Sequence, residues 1–148
     1  MSEKPDEKTI LMLEKKALEA RKRAYTPYSH FSVGAALLCT NGHVYLGCNI
    51  ENASYTPVNC AERTAFFKAV SEGERDFEAM AIAGGPDSGE DLVLCSPCGV
   101  CRQVMREFCR DDFLIFFSDG KGGFISRTLS EMLPFGFGPD QLLGHGEK

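Results

Sequence analysis

Two short segments constrain this chain more than any other feature: Cys60-Ala61-Glu62-Arg63 and Ser96-Pro97-Cys98-Gly99-Val100-Cys101-Arg102. Together they offer three thiolates to one tetrahedral ion, with zinc the ion that best suits the ligands. Structural zinc sites are usually closed by four protein ligands, whereas catalytic sites keep one position open for water. Glu62 lies two residues from the first cysteine, where a carboxylate can move protons to and from that water. Three sulfur ligands with an acid beside them read as a hydrolytic metal centre. Any fold the chain adopts must bring the two segments together.

The local pattern suits helix starts at both segments. Cys98 and Cys101 are three apart and share one helical face. Ser96 and Pro97 precede them in the manner of a helix N-terminus, and Asn59 is placed to cap a helix that begins near Cys60. Helix N-termini stabilise anions and lower thiol pKa values, as a thiolate ligand set requires. Three thiolates around a dication leave one net negative charge. Arg63 and Arg102 each follow a site residue directly, and either could donate to a sulfur and offset that charge.

Composition sets limits around this centre. A chain of 148 residues, 43% hydrophobic and 25% charged, suits a single domain over 1–148 with an ordinary core. Seven cysteines and no apolar signal segment after Met1 argue against a secreted disulfide scaffold. No stretch approaches membrane-spanning length, so a cytoplasmic metalloprotein with no membrane partner is expected. The net charge of −5 disfavours nucleic acid as partner and favours a small-molecule substrate. The one basic run, Arg21-Lys22-Arg23 after Lys15-Lys16, reads as a solvated helix face.

Along the chain, residues 8–24 place Ile10, Leu13, Ala17, Ala20 and Ala24 on one helical stripe. Residues 31–39 and 43–50 flank Asn41-Gly42 as a β-hairpin. A helix is expected over 60–71, a strand over 79–83, and the second ligand helix over 97–109. Strands at 113–117 and 124–128 follow, with a turn at 120–123, a short helix at 130–133 and a Gly/Pro-rich tail. This order implies a mixed sheet covered on both faces.

The ordered series Tyr25–Ser29, Phe31–Ala36, Gly47–Tyr55, Cys60–Ala65 and Ser96–Gln103 resembles the short-chain, zinc-dependent cytidine deaminases over most of its length. The resemblance implies an α/β fold, a three-layer α/β/α sandwich around a five-stranded mixed sheet. It implies Zn2+ held by Cys60, Cys98 and Cys101, with Glu62 as the catalytic proton carrier. It also implies hydrolysis of cytidine and 2'-deoxycytidine to the uridine nucleosides and ammonia in pyrimidine salvage. By the same likeness Asn49 and Glu51 would bind the sugar hydroxyls, Phe31 would pack on the substrate, and the Ala61 backbone would meet the base. Homotetramers with shared active sites are implied as well, Tyr55 and Phe137 being the residues lent across interfaces.

Other readings stand beside these. From the residues alone, Asn49 and Glu51 are turn residues, Phe31 is core, Glu62 is a first-turn helix acid, and the aromatic tail at 134–138 packs locally. Adding Cys95 would close a four-thiolate structural site, although a strand or loop position before Pro97 favours a buried thiol. Cys39, Cys48 and Cys109 read as core thiols, and His30, His43 and His145 as surface residues. A deaminase of another aminated heterocycle, such as a blasticidin-type antibiotic, is the closest competitor. The Asn49/Glu51 pair favours cytidine and deoxycytidine, because a non-ribose substrate would not need both hydroxyl contacts. A redox or structural module built on Cys98-x-x-Cys101 is disfavoured by Glu62.

Overall fold

Five strands form one sheet in the order β2-β1-β3-β4-β5. The computed structural model describes residues 4–144. The strands are β1 (Phe31–Cys39), β2 (Val44–Cys48), β3 (Phe77–Pro86), β4 (Leu114–Ser118) and β5 (Phe124–Thr128). The helices are α1 (Glu7–Arg21), α2 (Ala61–Ser71), α3 (Gly99–Phe108), α4 (Leu129–Met132) and α5 (Pro139–Leu143). The hairpin β1–β2, the β1–β3 pair and the β4–β5 pair are antiparallel, whereas β3 and β4 run parallel. That single parallel step needs a crossover, which α3 supplies. The α/β sandwich with a five-stranded mixed sheet is therefore present.

The layers follow from strand alternation. Ala35, Leu37 and Cys39 of β1 point to one face and pack with Ala61, Ala65 and Phe66 of α2 and Met105 of α3. Ala36 and Leu38 point to the other and pack with Leu13 and Ala17 of α1. Being covered on both sides, β1 and β3 read as nearly continuous apolar runs. Both covering helices approach closely at glycine. The α1 backbone lies against Gly34 of β1, and the α2 backbone against Gly47 of β2, where a side chain would collide.

Several boundaries differ from the sequence expectation. α1 starts one residue earlier, capped by the Asp6 carboxylate accepting from Thr9 N at 2.8 Å, and it ends at Arg21 rather than 24. Strand β3 is longer than 79–83 because its apolar run pairs with all of β1. The tail contains a short helix, α5, that its Gly and Pro content concealed; Pro139 is its first residue. His145 lies outside the described residues. His30 and His43 are at the surface, as expected.

The basic run is not uniformly solvated. Arg21 is 8% exposed, and its guanidinium donates to Ser32 O, Gly85 O and Pro86 O at 2.9–3.2 Å. The expectation of a solvated face fails at this residue because the ends of β1 and β3 present carbonyls that only a long buried donor can reach. No described helix is long and apolar enough to cross a membrane.

Candidate active site

Both ligand segments enter helices in the same way. Cys60 is the N-cap of α2 and Cys98 the N-cap of α3, each with extended backbone, so the two helix N-termini converge on one point. Cys101 lies in the first turn of α3, and Glu62 in the first turn of α2. Asn59 is thus one residue too early to cap; its Nδ2 donates instead to Thr64 Oγ1 at 3.1 Å. Pro97 likewise precedes the cap rather than opening the helix.

The three sulfurs form a tight group, all within 4.8 Å of one another. Cys60 Sγ lies 3.8 Å from Cys98 Sγ, which is 3.6 Å from Cys101 Sγ. A zinc–sulfur bond of about 2.3 Å in a tetrahedron requires sulfur–sulfur edges of about 3.8 Å. The cluster therefore fits a tetrahedral cation by its own geometry. Among the described residues no other trio of His, Cys, Asp or Glu ligand atoms gathers this way. Cys95 stays outside the group. Its sulfur packs against Gly84, and burial pushes its thiol up to about 12. The four-thiolate arrangement is not formed.

Electrostatics single out two groups. The Cys60 thiol is drawn down to about 5, first by its hydrogen bond with Cys101 and then by Arg63, whose Nη2 donates to Cys60 Sγ at 3.3 Å. Cys101 is pushed up by the same bond to Cys60, by burial and by the charge of Glu62. Glu62 is 5% exposed, and burial raises its carboxyl to about 7, with the neighbouring Cys60 charge adding to the rise. A carboxyl poised there can both accept and return a proton near neutral pH.

The two arginines divide their work. Arg63 reaches a sulfur. Arg102 does not: its Nε donates to Pro97 O and its Nη1 to Met132 O, both at 2.7 Å. It stiffens the backbone leading into Cys98 and ties α4 to that loop, so the expected sulfur contact is replaced by two carbonyl contacts. A flexible guanidinium goes to the unpaired carbonyls that the fold leaves within reach.

The remaining expected residues separate into distinct places. Glu51 and Tyr55 line one cleft of about 290 Å³ with Tyr28, Ser29, Asn52 and Val58. Tyr55 is 71% exposed and meets Tyr28 edge-on with ring centroids 6.2 Å apart. Glu51 Oε1 accepts from Tyr28 N and Ser29 N at 3.0 and 3.1 Å, and the Ser29 bonds hold its carboxyl below the ordinary range. The Asn49 amide is bound to backbone, accepting from Val33 N at 2.8 Å and donating to Phe31 O at 2.9 Å. Phe31 is half-buried at the start of β1, and Ala61, the first residue of α2, is fully buried. Phe137 lies in the segment between α4 and α5. It is 56% exposed on the tail, its carbonyl held by Gln103 Nε2 at 2.7 Å. Sequence reasoning missed that tether and its neighbour, the buried Arg106, which pairs with Asp140 at 3.4 Å. No local motif marks either residue.

A five-stranded α/β sandwich with three thiols gathered at two helix N-termini, able to hold a metal ion, and a buried acid beside them is an arrangement suited to an enzyme with a metal-binding region. Residues 7–117 match the family model for the cytidine and deoxycytidylate deaminase zinc-binding region. Cytidine deaminase of Halalkalibacterium halodurans is 49% identical over 131 residues, spanning 88% of this chain and 96% of that protein. The Sporosarcina psychrophila cytidine deaminase is 48% identical over 124 residues, 84% and 88% of the two chains. The crystal structure of cytidine deaminase from Burkholderia pseudomallei superposes with a TM-score of 0.78 at 41% identity, covering 86% of this chain and 98% of that one. The chain belongs to the cytidine deaminase family.

Proposed function

We propose that this protein hydrolytically deaminates cytidine and 2'-deoxycytidine to uridine and 2'-deoxyuridine, releasing ammonia, and serves pyrimidine salvage in the cytoplasm. One observation carries the reading: three sulfurs within 4.8 Å of one another, two of their separations at the edge length of a zinc tetrahedron, with the buried Glu62 in the same first turn of α2 that Cys60 caps. The names carried by close relatives support the substrate.

Cys60, Cys98 and Cys101 would hold Zn2+, which when bound supplies an acidified water. Glu62 takes a proton from the attacking water and passes it to the pyrimidine N3. It then helps protonate the amine leaving from C4. A carboxyl raised towards neutrality suits both directions of transfer. Arg63 offsets the excess negative charge of three thiolates through its contact with Cys60. Arg102 keeps the Pro97–Cys98 backbone in place.

The sugar-binding role falls to Glu51. Its Oε1 is committed to two amides, which directs the carboxylate into the cleft shared with Tyr55. Asn49 acts at the same edge by holding the backbone of Phe31 and Val33, and it keeps one amide hydrogen for a hydroxyl. Phe31 and the Ala61 backbone line the base. The exposed Tyr55 and Phe137 are the residues lent across the interfaces of a homotetramer.

Loss of cytidine absorbance on mixing with the zinc-loaded protein tests the activity. Removing the metal should abolish that loss and restoring Zn2+ should return it. Unchanged turnover in fully chelated protein would overturn the proposal.

A further inference from the structure

We propose that Asp87, at the end of β3, is a positioning residue that acts through the turn over residues 26–30 to aim Glu51 at the nucleoside sugar. The inference rests on the sugar-binding reading of Glu51 and adds the element that orients it.

Glu51 is fixed through its backbone, its N donating to Tyr25 O at 2.9 Å after an Ile50 bridged to Tyr25 and Asn59, whereas its side chain depends on other contacts. It follows Ile50 in a loop, and its carboxylate is held by the amides of Tyr28 and Ser29 at 3.0 and 3.1 Å. The direction of the carboxylate is therefore only as fixed as the turn that carries those amides. That turn is unfavourable in isolation. His30 closes it with N donating to Thr26 O at 3.1 Å, and it does so at φ 56, a left-handed conformation disfavoured for a residue with a side chain. Such geometry persists when surrounding contacts over-determine it.

Asp87 supplies those contacts at both ends of the turn. Its backbone N donates to His30 O at 2.8 Å. Its Oδ2 accepts from the buried Thr26 Oγ1 at 2.8 Å and lies 3.6 Å from His30 Nδ1. Asp87 is anchored in turn. The buried Arg21 binds the carbonyls of Gly85 and Pro86 just before it, and that of Ser32 just after the turn. A continuous path thus runs from α1 through Arg21 to the end of β3, then through Asp87 to the turn and Glu51.

Removing the Asp87 carboxylate should leave the thiol cluster and Glu62 untouched, because none of these contacts reaches them. The expected result for Asp87→Ala is a KM for cytidine raised on the order of tenfold, the scale of one charged hydrogen bond. Its kcat should stay within about twofold of the parent and its zinc content should be unchanged. Asp87→Asn retains an oxygen acceptor for Thr26 and should restore most of the KM. With 2',3'-dideoxycytidine, which lacks the 2' and 3' hydroxyls, or in a Glu51→Ala background, Asp87→Ala should add no further loss. Amide exchange at Tyr28 and Ser29 reads the same link without turnover and should accelerate in Asp87→Ala but not in Asp87→Asn.

An unchanged KM or unchanged amide protection in Asp87→Ala overturns the proposal. So does a penalty that persists with the dideoxynucleoside or without Glu51. A Glu51→Ala protein with normal KM would instead remove the sugar-binding reading. The exchange experiment still decides whether Asp87 holds the turn.

Discussion

Gly47 offers a direct test of how backbone packing sets the catalytic geometry. A methyl group built on it would collide with Ala61 O and lie 2.6 Å from Ala65 N, both backbone atoms of α2. Ordinary contact begins at 3.4 Å, so clearing Ala65 N alone requires 0.8 Å and clearing the nearer Ala61 O requires α2 and β2 to separate by about 1 Å. If α2 moves, Cys60 and Glu62 move with it. If the edge strand β2 yields instead, its ladder with β1 at Ala35 and Gly34 is disturbed and Asn49 and Glu51 shift. Either route displaces groups that must sit within about 0.5 Å of their working positions. A displacement near 1 Å costs roughly 10²-fold in rate. Overpacking should also lower stability by about 1–3 kcal/mol, which in a chain of this size moves Tm by roughly 2–4 °C per kcal/mol. Gly47→Ala should therefore fold, melt several degrees lower and turn cytidine over about a hundredfold more slowly, as read by calorimetry and absorbance. Gly89→Ala is the control, since nothing lies within 4 Å of its added methyl group and its backbone is not left-handed. A Gly47→Ala protein with parental kcat and Tm would refute the claim that α2 is seated on this glycine.

Other outcomes can be stated for single groups. Glu62→Gln keeps the shape of the buried side chain and removes its proton-carrying capacity. Metal analysis should show parental zinc content while kcat falls by about 10²–10⁴-fold; near-parental kcat in that metal-loaded protein would exclude Glu62. Arg63→Gln removes the donor on Cys60 Sγ. Competition with a chelator should show zinc held roughly 10–100-fold more weakly, with the fold retained. The Glu74 carboxyl is held below its ordinary 4.5 first by His43 at 2.7 Å and then by Tyr45 and Asn41. A depressed folded value gives stability that is fully present above pH 4.5 and is lost as pH falls through the folded value. Glu74→Gln should thus melt lower than the parent at pH 6, and the difference should shrink towards pH 3. A gap independent of pH would show that the hairpin turn is not tied down by this charge.

Much of the site was legible because its signals are local. Cys60-x-Glu62 and Cys98-x-x-Cys101 state ligand type, spacing and helix face within a few residues, and both helix starts fell within two residues of expectation. The hairpin was equally readable from Asn41-Gly42, where Gly42 takes the positive φ that the turn demands. The shortfalls lie where long side chains or backbone groups choose among distant partners. Arg21 looked like part of a solvated face and is buried on three carbonyls. Arg102 looked like a sulfur donor and serves Pro97 and Met132. Asn49 places its amide on Phe31 and Val33, a bond set fixed by how β1 and the segment after β2 lie side by side.

The amino-acid order by itself determined which atoms can hold the ion, which acid stands beside them, and the succession of strands and helices. Only the tertiary structure decided that two cysteines far apart in the chain would meet at 3.8 Å, and that Asp87 would contact the turn whose amides hold Glu51. The reason is physical. Ligand chemistry and helix periodicity act over a few residues, whereas the destination of a guanidinium or carboxylate depends on which backbone groups the whole sheet leaves unpaired.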